Sequence, residues 1–407
     1  MPLPPLLEVF VFWHPDDDEG AFVAQSLHAR FHGPAFAGLA GGAVEVYVRS
    51  EGWARPGAPP RPLPTGSAAP GLRDVPPAEF TVVVPVLGVG LARAVQDDPE
   101  WAAYAAATTA AGPGRLVLPV RVGRPNLAGS ALESMLGAVQ AIAIEGPSDA
   151  DGLGRDAAQG MAQWLLADDG AGPSRTRVFV SHTKRSSPAE SAGDGPMLHD
   201  LVRDELSGTR LAEFFDARDL QPGEDWPERL DAAAADAALL MIRTDLYSRR
   251  EWTQREVMKA KRADVPAVVL HALRSGDDRG SFLMDHVPAV PCDLASPRAG
   301  VRAALSRLVD EVLKKALWSR QTVYLRSDGF DWLPARSPEP VTLTPWLAAH
   351  RAQDPEDPHV WIMHPDPPLG PNEREAIDEL CSLAGFDGAV DVLTPRTFAA
   401  RGGRIRP

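Results

Sequence analysis

Between residues 174 and 319, short continuous apolar runs alternate with segments of helical periodicity. The apolar runs predict strands over residues 177–181, 211–216, 238–244 and 267–273. Helical spacing predicts helices over residues 196–206, 226–235, 248–262 and 298–317. Strands that are apolar throughout and separated by helices indicate an α/β fold with a parallel sheet covered on both faces. Ligands of such sheets bind beyond the carboxyl ends of the strands.

Composition limits the classes of partner. The 407 residues suggest two to three domains, and the formal net charge of −14 argues against a nucleic-acid partner. The longest apolar run, residues 81–92, is too short to cross a bilayer, and the start of the chain lacks the basic residues of a signal peptide. Cys292 and Cys381 are far apart and lack metal-binding spacing. We therefore expect a cytoplasmic protein without a metal, a retained cofactor or a membrane partner.

The segment from Tyr247 to Glu256 combines an aromatic and an acidic side chain at helical spacing. Trp252 and Glu256 are four residues apart and fall on one face of a helix, about one turn from each other. An aromatic surface beside a carboxylate can hold a cationic nicotinamide nucleotide. A Glu in a helix is more often a solvated surface residue, so the pair alone does not establish a site.

Two further segments, residues 177–183 and 214–226, precede this one along the chain, and the order and spacing of the three are informative. Together with residues 247–256, they resemble the first strand, the second strand with its long BB loop, and the active-site helix of a bacterial TIR domain. The resemblance implies a flavodoxin-like parallel sheet with helices on both faces. It also implies NAD⁺ glycohydrolase activity, with NAD⁺ as the substrate and with nicotinamide and ADP-ribose or a cyclic isomer as products.

The resemblance assigns roles to seven residues. Glu256 corresponds to the catalytic carboxylate, which would stabilise the oxocarbenium charge of the transition state. The substrate-binding candidates are its aromatic neighbour Trp252, the strand-end residues Ser181 and His182, and Phe215, Asp216 and Arg218 of the BB-loop-like segment.

Bacterial TIR enzymes of this kind commonly act in antiphage defence and become active when TIR units self-associate. The resemblance thus implies assembly through TIR domains and a phage-derived or defence-system protein as trigger. Two alternatives remain open. The chain could be a non-enzymatic TIR adaptor, for which Glu256 has no evident use, or a nucleoside transferase with Glu256 as the nucleophile.

The flanking parts are predicted as separate domains. Residues 1–169 repeat the strand and helix order of residues 174–319, with Trp101 in the place of Trp252 and Ala105 in the place of Glu256. We therefore expect a degenerate TIR-like copy without catalysis, in which residues 129–144 and 155–167 are helical. Residues 170–174 are the predicted linker. Residues 321–407, called the C-terminal module, are expected to be a small α/β module of unknown role, with strands at 322–325, 359–364 and 390–393 and a helix at 372–383.

Overall fold

The computed structural model describes a chain of two compact units, Met1–Trp164 (unit 1) and Leu165–Pro407 (unit 2). The described residues are 6–36, 44–63, 78–167, 175–183, 197–209, 211–215, 237–277, 280–327, 329–330, 332–353, 359–387 and 390–403. Both units are α/β, with parallel sheets flanked by helices, which confirms the predicted fold class at this level. Within the described ranges, no helix is both long and apolar enough to cross a membrane.

Unit 1 is built on a parallel sheet. Its described strands are β1 (Leu7–Phe12), β2 (Glu45–Arg49), β3 (Phe80–Leu87), β4 (Arg115–Val117), β5 (Val120–Val122) and β6 (Ile142–Ile144). They are ordered β2-β1-β3-β5-β6, and β4 also pairs with β3. The described helices are α1 (Glu19–Phe31), α2 (Val89–Asp97), α3 (Pro99–Thr109), α4 (Ala131–Leu136) and α5 (Ala150–Leu166). Every residue of β1 is buried, as expected of a strand with both faces covered.

The helix predicted over residues 129–144 is mostly wrong. Only α4 is α-helical in that range; it ends at Leu136, and the N–H of the following residue, Gly137, bonds to the carbonyl of Glu133. Residues 142–144 instead form β6, which pairs with β5. Pairing buries Ile142 and Ile144, so the gain from sheet packing outweighs the local helical pattern.

A buried carboxylate joins the loop after β1 to the start of α2. Asp17 is 5% exposed and accepts hydrogen bonds from the backbone N–H groups of Gly90 at 2.7 Å and Leu91 at 2.8 Å. A Cβ atom at Gly88 would lie 2.2 Å from Asp17 Cγ, so the backbone approach requires glycine there. The positive end of α2 is therefore occupied by a side chain of the unit itself.

We expect Asp17→Asn to lower the free energy of unfolding by about 1–2 kcal/mol, because the amide offers one acceptor to two buried N–H groups. Urea denaturation of the full chain, followed by tryptophan fluorescence, measures this loss. The neighbouring Asp16→Asn is the matched control, since the Asp16 side chain is 76% exposed. Equal midpoints for the two variants would show that Asp17 does not lock this loop.

Unit 2 contains a second parallel sheet. Its strands within the described residues are β7 (Arg177–Ser181), β8 (Ala212–Phe215), β9 (Ala237–Arg243), β10 (Ala267–His271) and β11 (Ala289–Pro291), ordered β8-β7-β9-β10-β11. Numbered along this sheet, the order is 2-1-3-4-5, which is the flavodoxin-like arrangement. The four strands predicted in this region are confirmed to within one or two residues at each end. The predicted helix 226–235 and linker 170–174 lie outside the described residues.

The helices of this sheet place the segment that carries Glu256. They are α6 (Leu198–Ser207), α7 (Glu251–Arg262), α8 (Phe282–Asp285) and α9 (Pro297–Ser327). A 3₁₀ turn, Tyr247–Arg249, and an extended residue, Arg250, precede α7. The helix therefore begins three residues later than the predicted start at Ser248.

The C-terminal module contains α10 (Pro340–Gln353), β12 (Val360–Met363), α11 (Pro371–Leu383), β13 (Val390–Leu393) and α12 (Pro395–Ala400), and β12 pairs in parallel with β13. The strand predicted at residues 322–325 is wrong, because these residues continue α9 to Ser327. The predicted boundary at 319–321 thus lies inside a helix. Trp318 and Leu325 of α9 pack in one cluster with Phe330 and Met363 of the module, and this burial extends the helix.

Candidate functional site

The carboxyl ends of β7 and β9 meet at one edge of the sheet in unit 2. The two strands pair in parallel, with Ser181 in register with Met241. Just beyond them, the hydroxyl oxygens of Thr183 and Thr244 are 3.3 Å apart. This is the edge at which flavodoxin-like sheets bind ligands.

A chain of hydrogen bonds joins three buried side chains at this edge. Ser181 Oγ donates to Glu256 Oε2, and the hydroxyl oxygen of Tyr247 lies 2.6 Å from Ser181 Oγ. Ser181 has one hydroxyl hydrogen, which it gives to Glu256, so Tyr247 donates its own hydrogen to Ser181. The exposed fractions of Ser181, Tyr247 and Glu256 are 2%, 0% and 3%. The Glu256 carboxylate is therefore held in place by Ser181, the last residue of β7.

The electrostatics of Tyr247 fit this direction of donation. Burial raises the pKa of Tyr247 well above its ordinary value, and the negative charge of Glu256 raises it further, against smaller opposing effects of Ser181 and Arg243. The phenol is therefore protonated at neutral pH and is available as a donor.

Local hydrogen bonds fix the turn that precedes α7. Thr253 Oγ1 donates to the carbonyl oxygen of Tyr247 at 2.7 Å, and Gln254 Nε2 donates to that of Ser248 at 2.7 Å. Both bonds cross from the first turn of α7 to the 3₁₀ turn. Tyr247 and Glu256, nine residues apart, are thereby held in one rigid segment.

Trp252 lies one turn before Glu256 on α7, as the spacing predicts. Its side chain is 38% exposed, whereas Glu256 is almost fully buried. The two residues thus combine an accessible indole with an enclosed carboxylate. A role of Trp252 in substrate binding stays a prediction.

The remaining predicted residues are not all gathered at Glu256. The ring of His182 stacks on His199 of α6, with centroids 4.5 Å apart and planes 13° from parallel. Phe215 is the last residue of β8, and its backbone pairs with Phe179. Asp216 and Arg218 lie outside the described residues.

Two aspartates hold the loop after β10 against the end of β9. Asp245 accepts hydrogen bonds from the backbone of Arg274 at 2.9 Å and of Ser275 at 3.1 Å. Asp277 accepts from Ser248 Oγ at 2.7 Å and forms an ion pair of 2.7 Å with Arg243. These contacts fix the loop after β10 beside the residues that link β9 to α7.

Sequence reasoning missed Tyr247, Asp245 and Asp277. Asp245 directly follows the predicted strand 238–244, so the strand-end signal that selected Ser181 also applied to it. Tyr247 stood inside the selected segment, but its contact with Ser181 spans 66 residues. Asp277 has no local signal, since its partners lie 29 and 34 residues away.

Unit 1 has an aromatic pair at the corresponding positions of its own sheet. The buried residues of α3 are Trp101, Tyr104, Ala105 and Thr108, and those at the same spacing on α7 are Thr253, Glu256, Val257 and Ala260. By this pattern, Tyr104 rather than Ala105 corresponds to Glu256. Phe12, the last residue of β1, packs edge-on against Tyr104 with centroids 5.6 Å apart. Burial raises the pKa of Tyr104 to about 12. Neither alignment places a carboxylate at this position in unit 1.

Among the residues that the structure describes, no group of three His, Cys, Asp or Glu side chains is arranged to hold a metal ion. Comparison with family models, curated proteins and solved structures gave no match for this chain. A function for this chain is therefore inferred from the geometry at the edge of the sheet and from the sequence patterns.

We expect Ser181→Ala to lower the free energy of unfolding by about 1–3 kcal/mol, because it removes a partner from two buried polar groups, Tyr247 and Glu256. The matched control is Ser207→Ala, because the exposed Ser207 hydroxyl donates to the carbonyl oxygen of Asp204 in the same helix; this substitution should cost under about 0.5 kcal/mol. Urea denaturation of the full chain compares the two. Equal losses would contradict a special role for the hydrogen-bond chain.

Proposed function

We propose that this chain is a TIR-type NAD⁺ glycohydrolase that cleaves the bond between nicotinamide and ribose. The observation that carries the proposal is the position of Glu256: an enclosed carboxylate, bonded to Ser181, at the carboxyl edge of a parallel sheet of order 2-1-3-4-5. This combination is what the resemblance of residues 177–183, 214–226 and 247–256 to TIR domains requires.

Cleavage of this bond develops positive charge on the ribose. A fixed carboxylate stabilises that charge, and the hydrogen bond from Ser181 keeps Glu256 oriented as the bond breaks. Nicotinamide leaves as a neutral molecule, so no strong general acid is needed. Attack by water then gives ADP-ribose and one proton, whereas attack by a group of the same molecule gives a cyclic isomer.

The exposed indole of Trp252 supplies the second element of the site. Its ring lies on the accessible side of α7, one turn from the carboxylate, and can attract the positively charged nicotinamide ring. The other residues of the proposed pocket are Ser181, His182, Phe215, Asp216 and Arg218, the last three from the BB-loop-like segment.

The burial of Glu256 favours an enzyme that needs activation. With 3% of the residue exposed, a substrate reaches the carboxylate only after the edge of the sheet opens. Self-association through TIR domains, in response to a phage-derived or defence-system protein, would supply that opening. The biological role in this proposal is antiphage defence in the cytoplasm, either by depleting NAD⁺ or by producing a nucleotide signal.

The fold of unit 1 supports its proposed origin as a degenerate copy. Its sheet shares the order 2-1-3 at the start, and Phe12 and Tyr104 stand where unit 2 has Ser181 and Glu256. Neither side chain carries the negative charge that would stabilise an oxocarbenium ion. We therefore propose that unit 1 serves assembly or sensing.

A non-enzymatic TIR adaptor is the second candidate. The same burial of Glu256 favours it, because a carboxylate enclosed by Ser181 and Tyr247 can serve to hold α7 on the sheet. The two proposals differ in whether the full chain consumes NAD⁺.

We expect the purified full chain to consume NAD⁺ with a steep dependence on protein concentration, and Glu256→Gln to be slower by about 10² or more, since it removes the stabilising charge. Glu251→Gln is the matched control, because Glu251 lies on the same helix but is exposed and paired with Arg255. Chromatography of the products distinguishes ADP-ribose from cyclic forms. Consumption that Glu256→Gln leaves unchanged would remove Glu256 from the mechanism, and none at any concentration would favour the adaptor.

We expect Trp252→Ala to raise the KM for NAD⁺ about fivefold, equivalent to about 1 kcal/mol of lost ring–cation attraction. Phe282→Ala is the control, because Phe282 is also an exposed aromatic residue, 68% accessible, on the adjacent helix α8. Steady-state kinetics of both variants checks this. A similar change in KM for both would indicate a general effect on the surface rather than a contact of Trp252 with the substrate.

A further inference from the structure

The last turn of α7 forms a buried ion pair with the C-terminal module. Lys261 Nζ lies 2.8 Å from Glu339 Oε2, and the two side chains are only 3% and 16% exposed. Burial lowers the pKa of Lys261, whereas Glu339 raises it. A buried ammonium group needs a counter-charge, so the position of this helix end depends on Glu339.

The turn between α7 and β10 is held by the same segment of the module. The guanidinium of Arg336 donates to the carbonyl oxygen of Val265. The carboxylate of Asp264, a residue with left-handed backbone at φ 54°, accepts a hydrogen bond from the backbone of Ala335. Residues 335–339 thus bond to both sides of the turn that follows α7.

Apolar packing continues from this segment into the core beneath the candidate site. Val341, at the start of α10, packs against the cluster that contains Tyr247, Val257, Ala260 and Val265. Tyr247 is the residue that donates to Ser181, and Val257 is the neighbour of Glu256. The module therefore contributes to the same core that holds the hydrogen-bond chain.

We propose that residues 335–341, called the brace, hold α7 so that Glu256 keeps its position against Ser181. Lys261 follows Glu256 by five residues, roughly 7.5 Å along a rigid helix, so a shift at one is transmitted to the other. Lys261, Arg336 and Glu339 are positioning residues in this account, and the C-terminal module belongs to the working unit of the enzyme. The catalytic part of the inference rests on the proposed NAD⁺ cleavage.

A fragment of residues 174–319 would lack the brace. A fragment that ends at 319 lacks Glu339 and Arg336, and it cuts α9 between Trp318 and Leu325, which share one apolar cluster. Such a fragment would leave Lys261 without its counter-charge. The test therefore uses the full chain.

Glu339→Gln removes the counter-charge and leaves the shape of the side chain. We expect amide hydrogen exchange over residues 251–262 to become about tenfold faster, because solvating Lys261 requires the end of α7 to move. We expect kcat for NAD⁺ cleavage to fall about tenfold while KM stays within twofold. Glu339→Asp, which keeps the charge, should recover most of both.

The matched control is Glu205→Gln, in the same unit. Glu205 pairs with Arg298 at 2.8 Å and Arg302 at 2.8 Å, so the substitution breaks ion pairs of α6 with α9. Its exchange over residues 251–262 should match that of the wild type. Unchanged exchange in Glu339→Gln, or an equal increase in Glu205→Gln, would overturn the brace. If the wild type cleaves no NAD⁺, the proposed function fails, while the exchange experiment still decides the brace.

Discussion

The hydrogen bond from Ser181 to Glu256 joins strand β7 of unit 2 to helix α7 across 75 residues of sequence. A carboxylate buried to this degree is costly unless donors surround it. The other contacts of unit 2 hold Ser181, Tyr247 and α7 in the positions that this hydrogen bond requires. Parallel pairing brings the end of β7 beside β9, the locked 3₁₀ turn presents Tyr247, and the core beneath α7 fixes the helix.

The strands of unit 2 were predictable because a strand that is buried on both faces requires a continuous run of apolar residues. Residues 178–180 and 267–270 are apolar without interruption, and the shortness of these runs between helical segments favours strands over buried helices. The same reasoning failed at residues 322–325. Thr322 and Val323 are β-branched, but they continue a helix that is already formed, and adding residues to an existing helix costs little.

The sequence predicts a residue of the candidate site only where a polar side chain stands at a recognisable position in a strand or helix. Ser181 ends a predicted strand, and Glu256 follows Trp252 at the spacing that the resemblance to TIR domains implies for the catalytic carboxylate. Tyr247 and Asp277 act through partners 66 and 29 residues away, and the sequence does not encode such contacts locally. The brace is the extreme case, since Lys261 and Glu339 are separated by 78 residues and a predicted domain boundary.

The two sheets differ in the pair of side chains that joins the end of the first strand to the facing helix. Where β7 ends in Ser181, the facing helix can carry Glu256, because the hydroxyl donates to the carboxylate. Where β1 ends in Phe12, the strand-end side chain offers no hydroxyl, and the facing helix carries Tyr104, whose ring packs against that of Phe12. A carboxylate at position 104 would lack the donor that Glu256 has in Ser181. A buried carboxylate with its donor in unit 1 would therefore require changing the strand end and the helix together.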